Sequence, residues 1–420
     1  MRELRPLITR YVQRTNLRQS SVYIILHNCR VIDGVADVAR ENCDVIVEHG
    51  KILAVEAVRD RSSGEHYVIP VTGMTILPGL IDCHSHYLIY PWGPDPFKLG
   101  VDGSHGQLVL QGARCASVAL LSGVTTTRDA GAADGLNLIL RDAIHNGLVP
   151  GPRIVAAGRS ITITGGHGCN FGREADGIDE LRKAVREEMR HGADVIKIIA
   201  SEAAMRAGPE AGVEELTQNE IEVIVSEARR RGLRSFSHAQ NSKSVVRSAL
   251  GGVHSVEHAF LADTQSIRTL RECGTALVPT LAVTAVTLER TDLPEWYRSR
   301  MLEIQKMHWT SCEKAISEGV SVVAGTDCGV PGILPNMLWR EICLLNERGL
   351  KPMDAIKAAT IRAAELVGLD HIIGSIEPGK QADLIAVQGN PVNDLACLSD
   401  VAVVMKAGKV QMDKHGTQTF

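Results

Sequence analysis

The segment Pro78-Gly79-Leu80-Ile81-Asp82-Cys83-His84-Ser85-His86 is the stretch from which the fold of this chain can be inferred. An apolar run, Met74 to Leu77 and then Leu80 and Ile81, predicts a buried strand that ends in two histidines separated by one residue. Because side chains alternate between the faces of a strand, His84 and His86 are expected to point the same way. Two imidazoles at one strand end can share a metal ion or bind one each.

Length and composition restrict the class of protein. At 420 residues the chain exceeds the usual size of one domain, so we expect a large unit with a smaller accessory unit. Hydrophobic residues make up 44% and charged residues 22%, as in ordinary globular proteins. A net charge of −4 offers no basic field for nucleic acid. Ten scattered cysteines without a C-x-x-C pair indicate reduced thiols and a cytoplasmic location.

Neither a membrane span nor a secretory signal is expected. No uninterrupted apolar run approaches the ~20 residues that a spanning helix needs. The first twenty residues carry five arginines and no apolar core, so they do not resemble a secretory signal. We treat residues 1–21 as an N-terminal extension without an assigned role.

Both ends of the chain predict short strands separated by turns. In the first such region, residues 22–75, Glu48-His49-Gly50 reads as a hairpin turn between two alternating runs. Residues 375–420 have the same texture, with a turn at Gly389-Asn390-Pro391. Because chain termini often lie close together, we expect these two regions to form one small β-sandwich domain.

The middle of the chain, residues 76–374, alternates predicted strands and helices about eight times. One helix near 217–231 opens with Thr217 and has Glu220 three residues later, the spacing of a capping box. The last strand of the series is expected at Ser321–Asp327. This alternation predicts an α/β fold with a TIM-type (β/α)₈ barrel. A doubly wound open sheet is the alternative, although no G-x-G-x-x-G motif opens a helix after the first strand.

Polar and charged residues recur at the predicted carboxyl ends of these strands, where barrel enzymes place their chemistry. A purely structural role would bury a lysine and an aspartate at a heavy cost unless they were paired. The set therefore predicts a metal site. Its members are His84, His86, Lys197, His238, His258 and Asp327.

The same residues lie in motifs that resemble the amidohydrolase superfamily, specifically its imidazolonepropionase-like and prolidase-like branch. The resemblance covers nearly the whole chain, including the return to the terminal strands at Ile376–Leu384. The motifs are P-G-L-I-D-x-H-S-H, the lysine of V-I-K-I, S-H-A, V-E-H and G-T-D.

The resemblance implies a distorted TIM barrel with two divalent metal ions, for which zinc is the expected element. One ion would be held by His84, His86 and Asp327, and the other by His238 and His258. Lys197, as N6-carboxylysine, would bridge the two ions together with a hydroxide.

The chemistry of these residue types agrees with that implication. Carboxylation converts a lysine ammonium, a poor ligand, into a carboxylate that can span two cations. The metal ions would lower the pKa of the bridging water, and Asp327 would accept its proton and pass it to the leaving amine. His167, in Thr164-Gly165-Gly166-His167-Gly168, would hydrogen-bond the substrate carbonyl or oxyanion. A loop-packing role for His167 is the alternative.

Several neighbouring residues are expected to be structural. His254 falls at the entering end of its strand, away from the active rim. Asp129 is interpreted as an internal hydrogen-bond anchor. Three cysteines beside site residues, Cys83, Cys169 and Cys328, are expected to pack inside the barrel.

The chain departs from the dipeptidases of this branch at two positions that line their pocket mouth. Those enzymes usually have an aromatic residue two positions after the strand-5 histidine, where this chain has Gln240, followed by Asn241. They also usually have S-G-G-V after the strand-4 lysine, where this chain has Glu202. With His167, these residues are the predicted substrate contacts. Glu202 favours a neutral or cationic substrate, and Arg206 is the residue that could reverse this preference.

Three functions remain as hypotheses. The leading one is a hydrolase of amide-like C–N bonds, acting on an amide, urea, carbamate, N-acyl amino acid or dipeptide, with a Xaa-Pro or Xaa-Arg dipeptidase as the nearest variant. A mononuclear aminohydrolase would need a glutamate three residues after the strand-5 histidine, where this chain has Asn241. A non-enzymatic scaffold would not keep the full ligand set. We expect a small-molecule substrate, a homo-oligomer, and no nucleic-acid or membrane partner.

Overall fold

The computed structural model describes residues 23–60, 66–93, 102–205 and 212–414. The predicted N-terminal extension, residues 1–21, and Arg206 lie outside these ranges, as do residues 415–420 at the end of the second terminal region. The chain is an α/β protein.

The strands fall into a first group of five, a middle group of nine and a last group of three. The first group is β1 (Tyr23–Val31), β2 (Arg40–Glu48), β3 (Lys51–Ala57), β4 (His66–Pro70) and β5 (Met74–Pro78). The middle group is β6 (Leu80–Ser85), β7 (Val124–Asp129), β8 (Arg153–Ala156), β9 (Ile161–Thr162), β10 (Arg173–Glu174), β11 (Val195–Ile199), β12 (Arg234–Asn241), β13 (Ser255–Leu261) and β14 (Ala276–Val278). The last group is β15 (Leu384–Gln388), β16 (Val401–Lys406) and β17 (Lys409–Asp413).

Helices alternate with the middle strands and then follow them. They are α1 (His105–Leu121), α2 (Leu136–His145), α3 (Gly177–His191), α4 (Gln218–Arg229), α5 (Ser242–Leu250), α6 (Thr264–Cys273), α7 (Leu281–Glu289), α8 (Glu295–Ser317), α9 (Leu338–Glu347), α10 (Pro352–Ala358) and α11 (Ile361–Val367). Short 3₁₀ helices lie at Ala133–Gly135 and Leu395–Ser399.

Strands from the two ends of the chain pair into one mixed sheet. Its order is β17-β16-β15-β5-β1-β2-β3, with β4 also paired to β1. The two ends meet where β15 pairs antiparallel with β5, with Ile385 opposite Leu77. The backbone N–H of Gly79 donates to the carbonyl of Asp383 at 2.8 Å, so the contact continues to the start of β6.

The hairpin between β2 and β3 turns at His49 and Gly50, as the sequence predicts. Both residues have positive φ angles, 49° and 79°. Two successive positive φ angles are the mark of a type I′ turn, whose twist matches that of the strands it connects.

The middle strands form two parallel sheets, β6-β7-β8 and β10-β9-β11-β12-β13-β14. Every residue of β6, β7 and β11 is buried, including His84, Asp129 and Lys197. Parallel strands that are covered on both faces usually have continuous apolar sequences. Polar residues within such strands therefore stand out in the sequence.

Residues 321–328 lie between β14 and β6 but do not form the regular strand predicted at Ser321–Asp327. A backbone hydrogen bond from Val323 N to Leu277 O, 2.9 Å long, joins this segment to β14. Another, from Asp327 N to His84 O at 2.8 Å, joins it to β6. A side chain at Gly325 would meet the backbone N of His84 at 2.9 Å, and Asp327 has a φ of 60°. This close approach and left-handed residue interrupt the strand geometry.

The helices bury one apolar stripe each against the strands. In α3, buried Leu181, Ala184, Val185 and Glu188 recur at the spacing of one helix face. The predicted capping box of α4 is confirmed, since Thr217 and Glu220 exchange side-chain and backbone hydrogen bonds. In the described part of the chain, no helix is both long and apolar enough to cross a membrane.

Candidate active site

A cavity of about 420 Å³ opens near the carboxyl ends of the parallel strands. It brings together all but one of the residues predicted to bind metal or to contact the substrate. Those that line it are His84, His86, His167, Lys197, Glu202, His238, Gln240, His258 and Asp327.

Asp327 lies close to His84 of β6 and to His86, which follows the end of that strand. Its Oδ1 is 3.5 Å from Nε2 of His84 and 3.6 Å from Nε2 of His86. Donor atoms of His84, His258 and Asp327 all lie within 4.8 Å of one another and could hold a metal ion. This trio draws on both of the predicted ligand sets, so the assignment of ligands to two separate ions stays a prediction.

Three of the candidate ligands are oriented by a partner at Nδ1. His84 Nδ1 lies 2.7 Å from Oε2 of Glu257, and His86 Nδ1 lies 3.0 Å from the carbonyl of Gly131. Because a carboxylate and a carbonyl only accept, Nδ1 carries the hydrogen in both rings and Nε2 offers a lone pair to the cavity. Hydrogen bonds of this kind fix the tautomer and orientation of metal-ligating histidines.

His258 is held in the same way by a hydroxyl group. Its Nδ1 lies 2.8 Å from Oγ1 of Thr280, at the start of α7. Thr280 was not singled out from the sequence, where no pattern connects it with a residue 22 positions earlier.

Glu257 is a further site residue that the sequence analysis missed. Its carboxylate accepts from Arg128 Nη2 at 3.0 Å to both oxygens and from the hydroxyl of Ser255 at 2.6 Å. Glu257 and Arg128 are almost fully buried, so each charge depends on the other for compensation. The available signal was the adjacency of Glu257 to His258, but strand alternation predicts that neighbours face opposite sides.

Left-handed backbone explains why that alternation fails. His258 has a φ of 74°, Thr280 of 54° and Asp327 of 60°. Such angles cost a non-glycine residue on the order of 1–3 kcal/mol and are found mainly at functional sites. At His258 the turn in the backbone lets the side chains of two consecutive residues approach His84, whose ring centroid is 5.0 Å from that of His258.

Two buried nitrogens in the cavity have no hydrogen-bond partner among the described residues, Lys197 Nζ and His238 Nε2. Lys197 Nζ lies 4.8 Å from the centroid of the Phe236 ring. Burial lowers the pKa of Lys197 to about 8, although the nearby carboxylates of Glu257 and Asp327 act in the opposite direction. Burying a polar group without a hydrogen-bond partner is costly. Both nitrogens are therefore suited to bind a group that is not part of the polypeptide.

Burial also shifts the other ionisable groups of the cavity. It lowers the pKa of His86 to about 4 and the pKa values of His84, His238 and His258 well below the usual range, which keeps the imidazoles neutral. It raises the pKa of Asp327 to about 7, opposed by the positive charge of Lys197. Neutral imidazole is the metal-binding form.

Asp82 supports the base of the site and was also missed. Its carboxylate accepts from the Thr326 hydroxyl at 2.6 Å and from the backbone N–H groups of Thr326 and His84 at 3.0 and 3.1 Å. Burial raises the pKa of Asp82 to about 6. Asp82 therefore joins the backbone of β6 to the segment that carries Asp327.

His167 lies at the mouth of the cavity on the loop after β9. Its ring stacks on that of His238 with centroids 4.4 Å apart and an angle of 29°. Nδ1 of His167 is 3.6 Å from Oε1 of Glu202, and its backbone N–H donates to Glu215 at 2.7 Å. Glu215, unnoticed in the sequence, therefore anchors the loop.

Of the two remaining predicted substrate contacts, Gln240 lines the cavity and Asn241 does not. The side-chain oxygen of Gln240 accepts from the backbone of Ala204 at 2.6 Å, which fixes it in the cavity wall beside Glu202. Asn241 does not line this cavity, because its side chain caps α5 by accepting from Ser244 N at 2.9 Å. A cap signal was present in the sequence, since asparagine is a preferred residue at the start of a helix.

Among the residues expected to be structural, Asp129 accepts from the backbone of Gly131 and Tyr87 and from the side chain of Asn137, as an internal anchor should. His254 contacts the backbone of Ser235, outside the cavity. The prediction for Cys169 was wrong, because this cysteine is exposed in the His167 loop and lines the cavity.

These features define a hydrolase of known class. The chain belongs to the Amidohydrolase family, whose family model matches residues 75–411. Ochratoxinase from Aspergillus niger is 29% identical over 387 residues, covering 83% of this chain and 77% of that protein. Imidazolonepropionase from Geobacillus kaustophilus (strain HTA426) is 27% identical, covering 82% and 83%.

Among solved structures, a Xaa-Pro dipeptidase with methionine bound in its active site superposes with a TM-score of 0.84. It is 30% identical and the match covers 93% of this chain and all of that one. These relatives support hydrolase activity on a small-molecule substrate, and members of the family are generally metal-dependent, in keeping with the His84, His258 and Asp327 trio.

Proposed function

We propose that this protein hydrolyses an amide-like C–N bond, in an amide, urea, carbamate or N-acyl amino acid, with two divalent metal ions. One observation carries the proposal: six ligand-type residues from five segments of the chain line one cavity, and two of them, Lys197 and His238, have buried nitrogens without a hydrogen-bond partner in the described ranges.

The proposed framework is a distorted TIM barrel, with the mixed terminal sheet as the accessory β-sandwich unit. Support comes from the backbone hydrogen bonds that join residues 321–328 to β14 and β6. On the other side, Asp194 N donates to Ala156 O at 2.8 Å, between β8 and the start of β11. A closed arrangement would bring all the ligand-bearing ends to one rim.

The donor set fits divalent metal ions such as zinc. Imidazole nitrogens and carboxylate oxygens are normal zinc ligands, and the Nδ1 partners of His84 and His86 leave Nε2 of both rings available. In the proposed assignment His84, His86 and Asp327 would hold one ion, and His238 and His258 the other. Lys197 would bridge them as N6-carboxylysine.

The environment of Lys197 favours that modification. Carboxylation joins the neutral amine to carbon dioxide with loss of one proton. Because burial lowers the pKa of Lys197 from 10.5 to about 8, about a tenth of the amine is neutral near pH 7, far more than for an exposed lysine. The product is a carboxylate, and its two oxygens could bind the metal ions. The buried side chain would then no longer lack a partner.

Two side chains would then carry the proton and charge movements. When bound, the metal ions would supply a water of lowered pKa and polarise the scissile carbonyl. Asp327 would accept the proton of the attacking water and donate it to the departing nitrogen. His167, stacked on His238 at the cavity mouth, would donate a hydrogen bond to the carbonyl oxygen as negative charge develops there.

For the substrate we propose a neutral or cationic amide-like compound. Among the described residues that line the cavity, Lys197 is the only lysine or arginine, whereas Glu202 places a carboxylate in the wall. Gln240 occupies the position where dipeptidases of the branch usually have an aromatic residue, and its oxygen is engaged with Ala204.

A Xaa-Pro or Xaa-Arg dipeptidase is the second candidate. Its support is the 30% identity and 0.84 TM-score to the solved Xaa-Pro dipeptidase.

The decisive experiment combines metal analysis with a substrate panel. We expect about two divalent ions per chain, and hydrolysis of at least one member of a panel of N-acyl amino acids, dipeptides, carbamates and aryl ureas. The activity should disappear with a chelator and return with zinc. A protein that contains no metal and hydrolyses the panel equally well with chelator present would contradict the proposal.

A further inference from the structure

The start of α7 has an unusual cap. The residue that precedes the helix, Thr280, makes no side-chain capping bond to it. A threonine at this position normally accepts a hydrogen bond from the second or third N–H of the helix. Here its hydroxyl instead contacts Nδ1 of His258 at 2.8 Å.

Glu341 of α9 takes over the capping role. Its Oε1 accepts from Leu281 N at 3.0 Å and its Oε2 accepts from Ala282 N at 2.7 Å. These are the first two N–H groups of α7, and they would otherwise be buried without partners. Glu341 is fully buried, and this burial raises the pKa of its carboxyl group to about 8.

A second helix holds the same corner from the other side. His308 of α8 donates from Nε2 to the carbonyl of Pro279 at 2.8 Å. Pro279, Thr280 and Leu281, which we call the α7 corner, are therefore fixed by one buried side chain from α8 and one from α9. Thr280 keeps a left-handed conformation, with φ 54° and ψ 47°, that a β-branched residue adopts only under constraint.

We propose that Glu341 is a positioning residue of the metal centre, which caps α7 in place of Thr280 and so leaves the Thr280 hydroxyl to orient His258. The inference rests on the proposed function, because it takes His258 as a metal ligand. Glu341 touches neither the cavity nor any candidate ligand, and it acts only through Thr280.

The first test isolates the Thr280 hydroxyl. Thr280→Ser and Thr280→Ala differ by that group alone and neither is β-branched. We expect Thr280→Ser to bind zinc like the wild type in competition with a chromophoric chelator, and Thr280→Ala to lose affinity by about 10–100-fold, as is usual when the partner of a ligating histidine is removed. Equal affinities in the two variants would overturn the inference.

The second test asks whether Glu341 acts through that hydroxyl. Glu341→Gln fills the same space but accepts only one of the two N–H groups, and it should weaken zinc binding and change the visible spectrum of the cobalt-substituted protein as Thr280→Ala does. The variant that carries both substitutions should bind zinc no more weakly than Thr280→Ala, because both substitutions remove the same hydrogen bond to His258. Additive losses would mean that Glu341 is only structural.

Controls separate this inference from the proposed function. Glu347→Gln, on an exposed part of α9, should bind zinc normally. His258→Ala should lose zinc affinity, and if it does not, the metal assignment itself is wrong. If His258→Ala weakens binding while Glu341→Gln and Thr280→Ala do not, only the positioning role fails. Should Glu341→Gln not fold, Glu341→Asp takes its place in the same comparison, because the shorter carboxylate no longer reaches both Leu281 N and Ala282 N.

Discussion

Nδ1 of His84 lies 2.7 Å from the carboxylate of Glu257, the residue immediately before His258. One strand, β13, therefore carries both a candidate ligand and the group that orients another candidate ligand on β6. The proposed metal centre consequently depends on charged groups that do not line the cavity, since Glu257 is in turn paired with buried Arg128.

Glu257→Gln should damage both stability and metal binding. The substitution keeps the shape of the side chain but leaves Arg128 as an uncompensated buried charge, which typically costs about 3–5 kcal/mol. Loss of the carboxylate also weakens the hold on His84, so zinc affinity should fall about 10–100-fold. Urea unfolding and chelator competition measure the two effects. Glu303→Gln, on an exposed face of α8, is the matched control, and an equal result for both variants would contradict the assigned role.

Lys197→Ala should bind fewer than the two ions expected for the wild type and lose most activity. A short carboxylic acid could enter the space of the missing side chain and replace the bridging carboxylate, so added formate or acetate should partly restore the rate. Metal analysis and an activity titration with these acids test the bridge. Full activity in Lys197→Ala without added acid would exclude it.

Asp327→Asn should reduce kcat by about 10²–10⁴-fold, the usual contribution of a positioned acid or base. In the wild type, kcat/KM should fall as the pH decreases, because Asp327 must be a carboxylate to accept a proton and burial raises its pKa to about 7 in the protein without metal. Bound cations lower that value, so the acidic limb should lie below pH 7. If Asp327→Asn retains its metal ions and its rate, another group is the base.

His308 should make the protein sensitive to acid. Its ring is fully buried, and burial lowers its pKa from 6.5 to about 3. Between these values the unfolded chain binds a proton that the folded chain does not, so the free energy of unfolding decreases as the pH falls, by at most about 1.4 kcal/mol per pH unit from this residue. His308→Gln should be less stable at pH 7 but lose less stability between pH 6.5 and 5. Parallel slopes for the two proteins in urea unfolding would argue against this contribution.

The charge of the substrate can be tested directly. At about 4 Å in water, repulsion between two like charges is about 1 kcal/mol, equivalent to roughly fivefold. An N-acyl amino acid should therefore have a lower kcat/KM than its uncharged amide, and Glu202→Gln should narrow the difference. A preference of tenfold or more for the free acid would instead assign the protein to the dipeptidase group.

The positions of the candidate ligands could be predicted because they depend on local patterns. His84, Lys197 and His238 each lie within a largely buried strand, and parallel strands bring their carboxyl ends to a common edge. The same reading of strand ends gave His258 and Asp327, and the family motifs contain the whole set.

The groups that orient those ligands could not be predicted in this way. Glu257 and Arg128 are 129 positions apart, and Glu341 and Leu281 are 60 apart, so no periodicity connects them. Strand alternation predicts that the side chains of Glu257 and His258 point to opposite faces. The left-handed backbone at His258 lets both of them approach His84 instead. At Asn241 two local rules competed, and helix capping, rather than the strand end, determined where the side chain points.

The pairing of β5 with β15 has a consequence for how the protein is made. The segment that leads into His84 and His86 pairs with Leu384–Gln388, which begins 306 residues after Pro78 and leaves the ribosome that much later. Until then one edge of β5 is open to solvent and available to other strands. The strand that leads into the candidate ligands is therefore anchored only after β15 has been made. A chain that stops before residue 384 would expose this edge to aggregation, even though it contains all the candidate ligands.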